Sequence, residues 1–390
     1  MKYNLFIALG LFCMFDANAQ SAKKIHQAAS IIDTHNDIPS TSIELGLAFD
    51  ADLRGKTHSD LNRMIAGGVD GQIFSIFCDG EQKKPFQFAN QEIDSVYAWV
   101  ARNPSRMALV KNPTDLDKAI QEGKLAAMLG VEGGHMIEGD LGKLDALFKR
   151  GVCYMTLTWN NSTQWATSAK DETLHGDSLA FKGLTDFGRQ VVARMNQLGM
   201  LIDVSHVGER TFWDVIATST KPIFASHSCV WNLCPVSRNL KDDQIKAIAQ
   251  KGGVIHLNFY PGFLDTNYRK KSEQFFKDHA ADTERLKRLG VAEGQIEGRL
   301  IKMFQAEFDE IRTSIEVLLD HLDYIVRLVG VDHVGIGSDF DGIEAPPLEL
   351  NGVENLPLLT KALKKRGYQA ADIKKILGGN FIRLWRAIQP

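Results

Sequence analysis

The feature that most constrains this chain is a repeated alternation. Eight apolar, β-rich runs each lead into a polar or glycine-rich tip and then into a stretch with helical spacing: residues 30–33, 71–77, 126–131, 153–158, 201–204, 222–225, 253–258 and 333–337. The runs are nearly continuous in apolar residues, as strands covered on both faces must be. Segments between them, such as 86–103, 183–198, 241–251 and 314–329, carry leucine, isoleucine and alanine at helical intervals with charges between. Eight strand-helix units predict an α/β fold of the (β/α)8 TIM-barrel type. An open doubly wound sheet is the second choice, because no G-x-G-x-x-G follows the first run.

No composition shift divides residues 20–390, which are expected to form one domain. Segment 261–312, between the seventh and eighth runs, exceeds the plan. It is rich in Lys, Glu and Arg and helix-prone, which predicts a solvated helical insertion, with a lid or subunit contact over the barrel mouth as the alternative. At 390 residues and 44% hydrophobic the chain can bury a large core. Its 45 basic residues against 48 acidic ones leave no positive excess to neutralise a phosphate backbone, which argues against nucleic acid as a partner.

Residues 1–19 combine Lys2, an apolar run from 5 to 15 and the small-x-small ending Ala17-Asn18-Ala19. That pattern predicts a secretory signal peptide cleaved after Ala19, and therefore export to the periplasm or beyond. No apolar tail suggests a membrane anchor. After removal of Cys13 with the signal, Cys78, Cys153, Cys229 and Cys234 remain without C-x-x-C spacing, and the sequence leaves their pairing open.

In a (β/α)8 barrel the chemistry collects where strands meet the following loops. The polar residues there are His35 and Asp37 after the first run, Glu132 after the third, His206 after the fifth, His227 after the sixth and Asp339 after the eighth. Three histidines and three carboxylates on one rim are costly to desolvate without a partner, and a divalent cation is the usual one. Imidazole and carboxylate without thiolate suit zinc. His35 and Asp37, two apart on an extended strand, face the same side and can share one ion; His206 and His227 can hold a second; Glu132 is the natural bridge. Two such ions would generate a hydroxide nucleophile at neutral pH, with Asp339 left for proton transfer. Asp33 is expected to help end its strand. His256 is expected in the core, His135 either orienting its loop or touching a ligand, and His26, His58, His175, His279, His321 and His333 at the surface.

With these residues in place the sequence resembles the renal or membrane dipeptidase family, peptidase family M19 of the amidohydrolase superfamily. The resemblance rests on DTHND (33–37), GVEGGH (130–135), YMTLTW with WA (154–159 and 165–166), DVSH (203–206), SHS with SRN (226–228 and 237–239), NFY (258–260) and GSDFDG (337–342). It implies a two-zinc dipeptidase with His35 and Asp37 at one metal, His206 and His227 at the other, and Glu132 bridging. Asp339 would move the proton, and Arg238 would bind the substrate carboxylate. Tyr260, Trp159 and Asn160 are further expected substrate contacts. A homodimer and tolerance of a C-terminal D-residue are implied as well. Where the mammalian branch carries LTH, this chain has LTW, so either a neighbouring asparagine replaces the histidine contact or the substrate range differs. The rival functions are another amidohydrolase reaction on the same metals, such as deacetylation or lactone hydrolysis, and a non-catalytic metal-binding or ligand-binding barrel.

Overall fold

The computed structural model describes residues 21–291 and 293–389; the expected signal peptide lies outside them. Among the described residues nine strands, all parallel, form one sheet: β1 (Ile32–Asn36), β2 (Gly71–Phe77), β3 (Met107–Leu109), β4 (Leu125–Glu132), β5 (Val152–Thr156), β6 (Leu201–Asp203), β7 (Phe224–Ser228), β8 (Val254–Leu257) and β9 (Val334–Ile336). Eight follow the order β1-β2-β4-β5-β6-β7-β8-β9, and β3 pairs beside β4 off this path. A parallel bridge between Asn36 and Phe340 joins the first strand to the segment after the last. The result is a nearly closed eight-stranded barrel with helices outside, the (β/α)8 fold.

Side-chain alternation divides the core in two. On β4, Leu125, Ala127, Leu129 and Val131 pack outward under the helices. Ala126 and Met128, on the opposite face, join Ile32, Ile73, Tyr154, Leu201, Phe224 and Val254 in the barrel interior. The helix Asn380–Ile388 closes the bottom of that interior with Phe381, Leu384 and Trp385. Continuing the period of two carries Glu132 to the interior face at the top of β4. Gly130 sits between, and a Cβ there would lie 2.2 Å from the Tyr154 ring, so only glycine lets that ring cross the barrel.

Segment 261–309 between β8 and β9 folds into five helices. Tyr268, Phe275, Leu286, Leu300 and Phe308 form a small cluster there, with Ala345 from beyond β9 and half-buried Tyr260 packed against it.

The structure corrects three expectations. Asp33 does not end its strand: β1 runs to Asn36, and Asp33 is a buried clasp whose carboxylate accepts from Ser338 N at 2.8 Å and Ser338 Oγ at 2.6 Å. His333 is not in the last strand but in a 3-10 turn before it. His26 and His321 are buried rather than superficial: His26 bonds Thr360 Oγ1 and Gly67 O, while His321 links Val230 N to Leu264 O. Cys78, Cys153, Cys229 and Cys234 are all buried free thiols.

His321 yields a pH prediction. Burial lowers its pKa to about 4, so the unfolded chain takes up its proton first as pH falls. The stability it contributes is complete above about 6.5 and is lost progressively down to about 4. The advantage of wild type over His321→Leu in thermal unfolding is therefore expected to shrink across that window, by up to about 3 kcal/mol. An advantage that stays constant with pH would refute this.

Candidate active site

The residues singled out by the strand-end argument converge. His35, Asp37, Glu132, His206, His227 and Asp339 are all buried or nearly so at the top of the barrel. His35 reaches inward because the β1 register is irregular between Asp33 and Asn36, the kind of bulge that re-aims a side chain. Its Nε2 lies 3.4 Å from Glu132 Oε2, 3.5 Å from Asp37 Oδ2 and 3.9 Å from Asp339 Oδ1. The other oxygen of Glu132 faces the opposite side, 2.8 Å from His206 Nε2 and 3.4 Å from His227 Nε2. The two latter nitrogens are 3.0 Å apart. Asp339 therefore stands closer to the His35 side than a purely proton-moving role required.

Each imidazole is oriented through its other nitrogen. His35 Nδ1 is 2.7 Å from the Tyr154 hydroxyl, which itself donates to Thr34 O. His206 Nδ1 is 3.2 Å from Asn160 Oδ1. His227 Nδ1 is 2.7 Å from Ser226 Oγ, whose proton goes to Asp203 Oδ2 at 2.6 Å. For His206 and His227 Nδ1–H is the donor that satisfies the network, leaving their Nε2 lone pairs, beside the unpartnered Nε2 of His35, aimed at one centre. Tyr154, Asp203 and Ser226 were not picked out from the sequence. Asp203 carried a signal, being an acid inside an apolar run like Asp33.

His206 and Asp339 adopt left-handed backbone, with φ of 64° and 62°. Both residue types are among the non-glycine ones found in this region most often. Such strain persists only where surrounding contacts over-determine it, and it clusters at functional sites.

The electrostatics require a guest. Three carboxylates share the site with one guanidinium, Arg238, and two buried atoms, His35 Nε2 and Asp37 Oδ1, have no hydrogen-bond partner among the described residues. Burial raises Asp339, and the like charge of Asp37 raises it further, well above the usual carboxylate range. Burial also opposes charge on Glu132, but His35 and the hydrogen bonds of His206 and His227 outweigh it and hold the carboxyl well below that range. Burial lowers His206 to about 4 and takes His227 well below its ordinary value, so both rings are neutral, as metal ligands must be. Ligand atoms of His35, Glu132 and His227 lie within 4.8 Å of one another, as do those of His35, Asp37 and Asp339. Burial opposes charge on His35, but Tyr154, Asp37 and Glu132 outweigh it and raise its pKa well above the ordinary value, a positive charge that a cation would replace. Orphaned atoms, two neutral imidazoles and a carboxylate facing both ways fit divalent cations.

A cavity of about 360 Å³ opens over this cluster. Trp159, Asn160, Arg238 and Tyr260 all line it. Trp159 packs on Phe77, ring centroids 5.0 Å apart, and lies 6.4 Å from the His206 ring. Asn160, expected to touch substrate, also spends its carboxamide oxygen on His206. Arg238 donates to His227 O at 3.3 Å, stacks over Phe263, and leaves Nε unpartnered among the described residues. Burial lowers its pKa to about 10, which still leaves it cationic at neutral pH. A larger groove of about 530 Å³ flanks the C-terminal helix at the other end of the barrel, but its Arg386 is already paired with Asp117.

The model of the membrane dipeptidase family, peptidase family M19, matches residues 19–390. The probable dipeptidase PvdM from Pseudomonas aeruginosa superposes with a TM-score of 0.79 at 26% identity, over 96% of this chain and 99% of that one. A metallo peptidase from Rhodobacter sphaeroides, liganded with a phosphinate mimic of the dipeptide L-Ala-D-Ala, gives 0.75 at 23% identity over 92% and 99%. An amidohydrolase from Pseudomonas aeruginosa gives 0.71 at 22% identity over 94% and 99%. Among the described residues no helix is long and apolar enough to cross a membrane. A family match over nearly the whole length, on a barrel whose strand ends gather a candidate metal-ligand set, leads to one assignment: the chain belongs to the membrane dipeptidase family, peptidase family M19, and is a metallo-dipeptidase.

Proposed function

We propose that the protein is an exported, two-zinc dipeptidase that cleaves dipeptides with a free C-terminal carboxylate, C-terminal D-residues included. The observation that carries this reading is that one cavity holds both the histidine-carboxylate cluster and the guanidinium of Arg238, whose Nε is unpartnered and which has no bonded carboxylate among the described residues. A guanidinium can hold a carboxylate through two parallel hydrogen bonds, and this one has no acidic side chain to neutralise it within the hydrogen bonds described. The reading of D-residues is in keeping with the L-Ala-D-Ala mimic bound by the Rhodobacter sphaeroides protein.

In this mechanism His35 and Asp37 would hold one zinc and His206 and His227 the other, with Glu132, whose two oxygens face the two sets, available to both. Bound zinc would activate a water and polarise the scissile carbonyl. Arg238 fixes the C-terminus of the substrate, so a chain with further residues beyond the second has nowhere to put its carboxylate. Asp339 Oδ2 accepts from Asn258 Nδ2 at 2.8 Å, and Asn258 is itself held by Tyr260 N. That leaves Asp339 Oδ1 facing His35, placed to take a proton from the attacking water and return it to the leaving amine. Trp159 and Tyr260 wall the substrate space, and Asn160 keeps His206 in orientation.

Metal content of the purified protein, measured together with hydrolysis of L,L and L,D dipeptides before and after chelation, tests the reading. About two zinc ions per chain and chelator-sensitive cleavage are expected. Two metals with no dipeptide cleaved would discard the substrate assignment. A further prediction concerns the relay behind His227. Ser226→Ala removes the group that orients Nδ1 and should weaken zinc binding about 10- to 100-fold in a chelator competition. Unchanged affinity would mean that Ser226 does not position the ligand.

A further inference from the structure

The cavity is charged unevenly. Arg238 follows β7, is nine-tenths buried, lines this cavity, and has an unpartnered Nε and no bonded carboxylate among the described residues. In the strand order β7 stands four steps from β2 in either direction, so β2 is diametrically opposite, with β1 beside it. On that far side the cavity wall carries Glu44, from the helix Ile38–Leu45 after β1, while Glu344, from the loop after β9, stands a quarter-turn round the mouth, beside Tyr260. The charges acting most strongly on the two are negative as well, Asp79 on Glu44 and Glu297 on Glu344. Glu44 and Glu344 are both exposed residues, and the lining of the same cavity includes Phe77, Trp159 and Ile343.

A dipeptide whose carboxylate meets Arg238 extends about 7 Å across the strand ends. Its first side chain therefore leaves toward the far wall. An apolar lining with exposed acidic groups matches a side chain with a long aliphatic stem and a cationic head, which buries the stem and keeps the head in water. Resting on the dipeptidase reading above, we propose that Glu44 and Glu344 make the enzyme selective for dipeptides whose first residue is lysine or arginine.

The test compares kcat/KM of the zinc-loaded full-length mature protein for Lys-Ala, norleucyl-Ala and Glu-Ala, norleucine being lysine without its ammonium group. Lys-Ala is expected to exceed norleucyl-Ala about five- to tenfold at low salt, with Glu-Ala lowest, and the preference should shrink as salt rises. In the double variant Glu44→Gln/Glu344→Gln the lysyl to norleucyl ratio should fall to about one. Equal cleavage of Lys-Ala and norleucyl-Ala by wild type would overturn the selectivity and leave the dipeptidase reading standing. A preference that survives the double variant would overturn the assignment to these two carboxylates. Zinc-loaded protein that cleaves none of the three would overturn the dipeptidase reading and this inference with it.

Discussion

Asp339→Asn is expected to lower kcat by about 10²- to 10⁴-fold while leaving zinc content and fold in place. The substitution is unusually clean. Asp339 has φ 62°, a conformation that asparagine adopts readily, so the backbone carries no new strain. The side chain keeps its shape, and Asn258 can still be satisfied by the carboxamide oxygen. What disappears is the capacity to take up and release a proton. The surroundings of Asp339 favour that capacity, since burial and the charge of Asp37 push its carboxyl well above the ordinary range. A bound cation would draw it back down, which brings proton uptake and release within reach at neutral pH. Steady-state kinetics with metal analysis on the same sample decides the matter. Turnover within a few-fold of wild type would assign the proton to another group. Loss of zinc in the variant would make Asp339 a ligand first, which its 3.9 Å approach to His35 Nε2 allows.

Glu132→Gln is expected to reduce bound metal from two ions toward one or none and to cost about 10³-fold or more in kcat/KM. No other carboxylate in the site divides its oxygens between two sets of imidazoles, with Oε2 toward His35 and Oε1 toward His206 and His227. A glutamine keeps the volume but replaces one acceptor oxygen with an NH₂ that must face one of the three Nε2 atoms. It also removes the negative charge that two neighbouring cations need between them. Metal analysis at graded zinc concentrations, with thermal unfolding as the control for fold, separates weakened binding from a damaged barrel. Two ions retained with ordinary affinity would show that the bridge is made elsewhere.

Much of this site was legible before any coordinates because barrel geometry turns a sequence pattern into a spatial one. Once eight apolar runs close on themselves, the residues just past each run share a rim. His35, Asp37, Glu132, His206, His227 and Asp339 could be named as a set without a single distance. The groups behind them could not. Tyr154 lies 119 residues from His35, and Asp203 meets Ser226 across β6 and β7. Asn160 read as a substrate contact, yet its oxygen holds His206, 46 residues away. His26 and His321 looked superficial because a polar residue on a helix is usually solvated. Both are buried because backbone carbonyls and hydroxyls far along the chain satisfy their rings.

Periodicity and residue type, then, determined the class of fold and which candidate ligands gather at the strand ends, since both follow from local geometry: the two-residue alternation of a strand and the affinity of imidazole and carboxylate for cations. Only the tertiary structure decided which nitrogen of each histidine faces the centre and which oxygen of Glu132 faces which histidine. It alone brought Arg238 into the same cavity with no bonded counter-ion. Those outcomes depend on pairings between residues tens to hundreds of positions apart. A hydrogen bond is fixed by distance and angle between its partners, and neither is written in the order of residues along the chain.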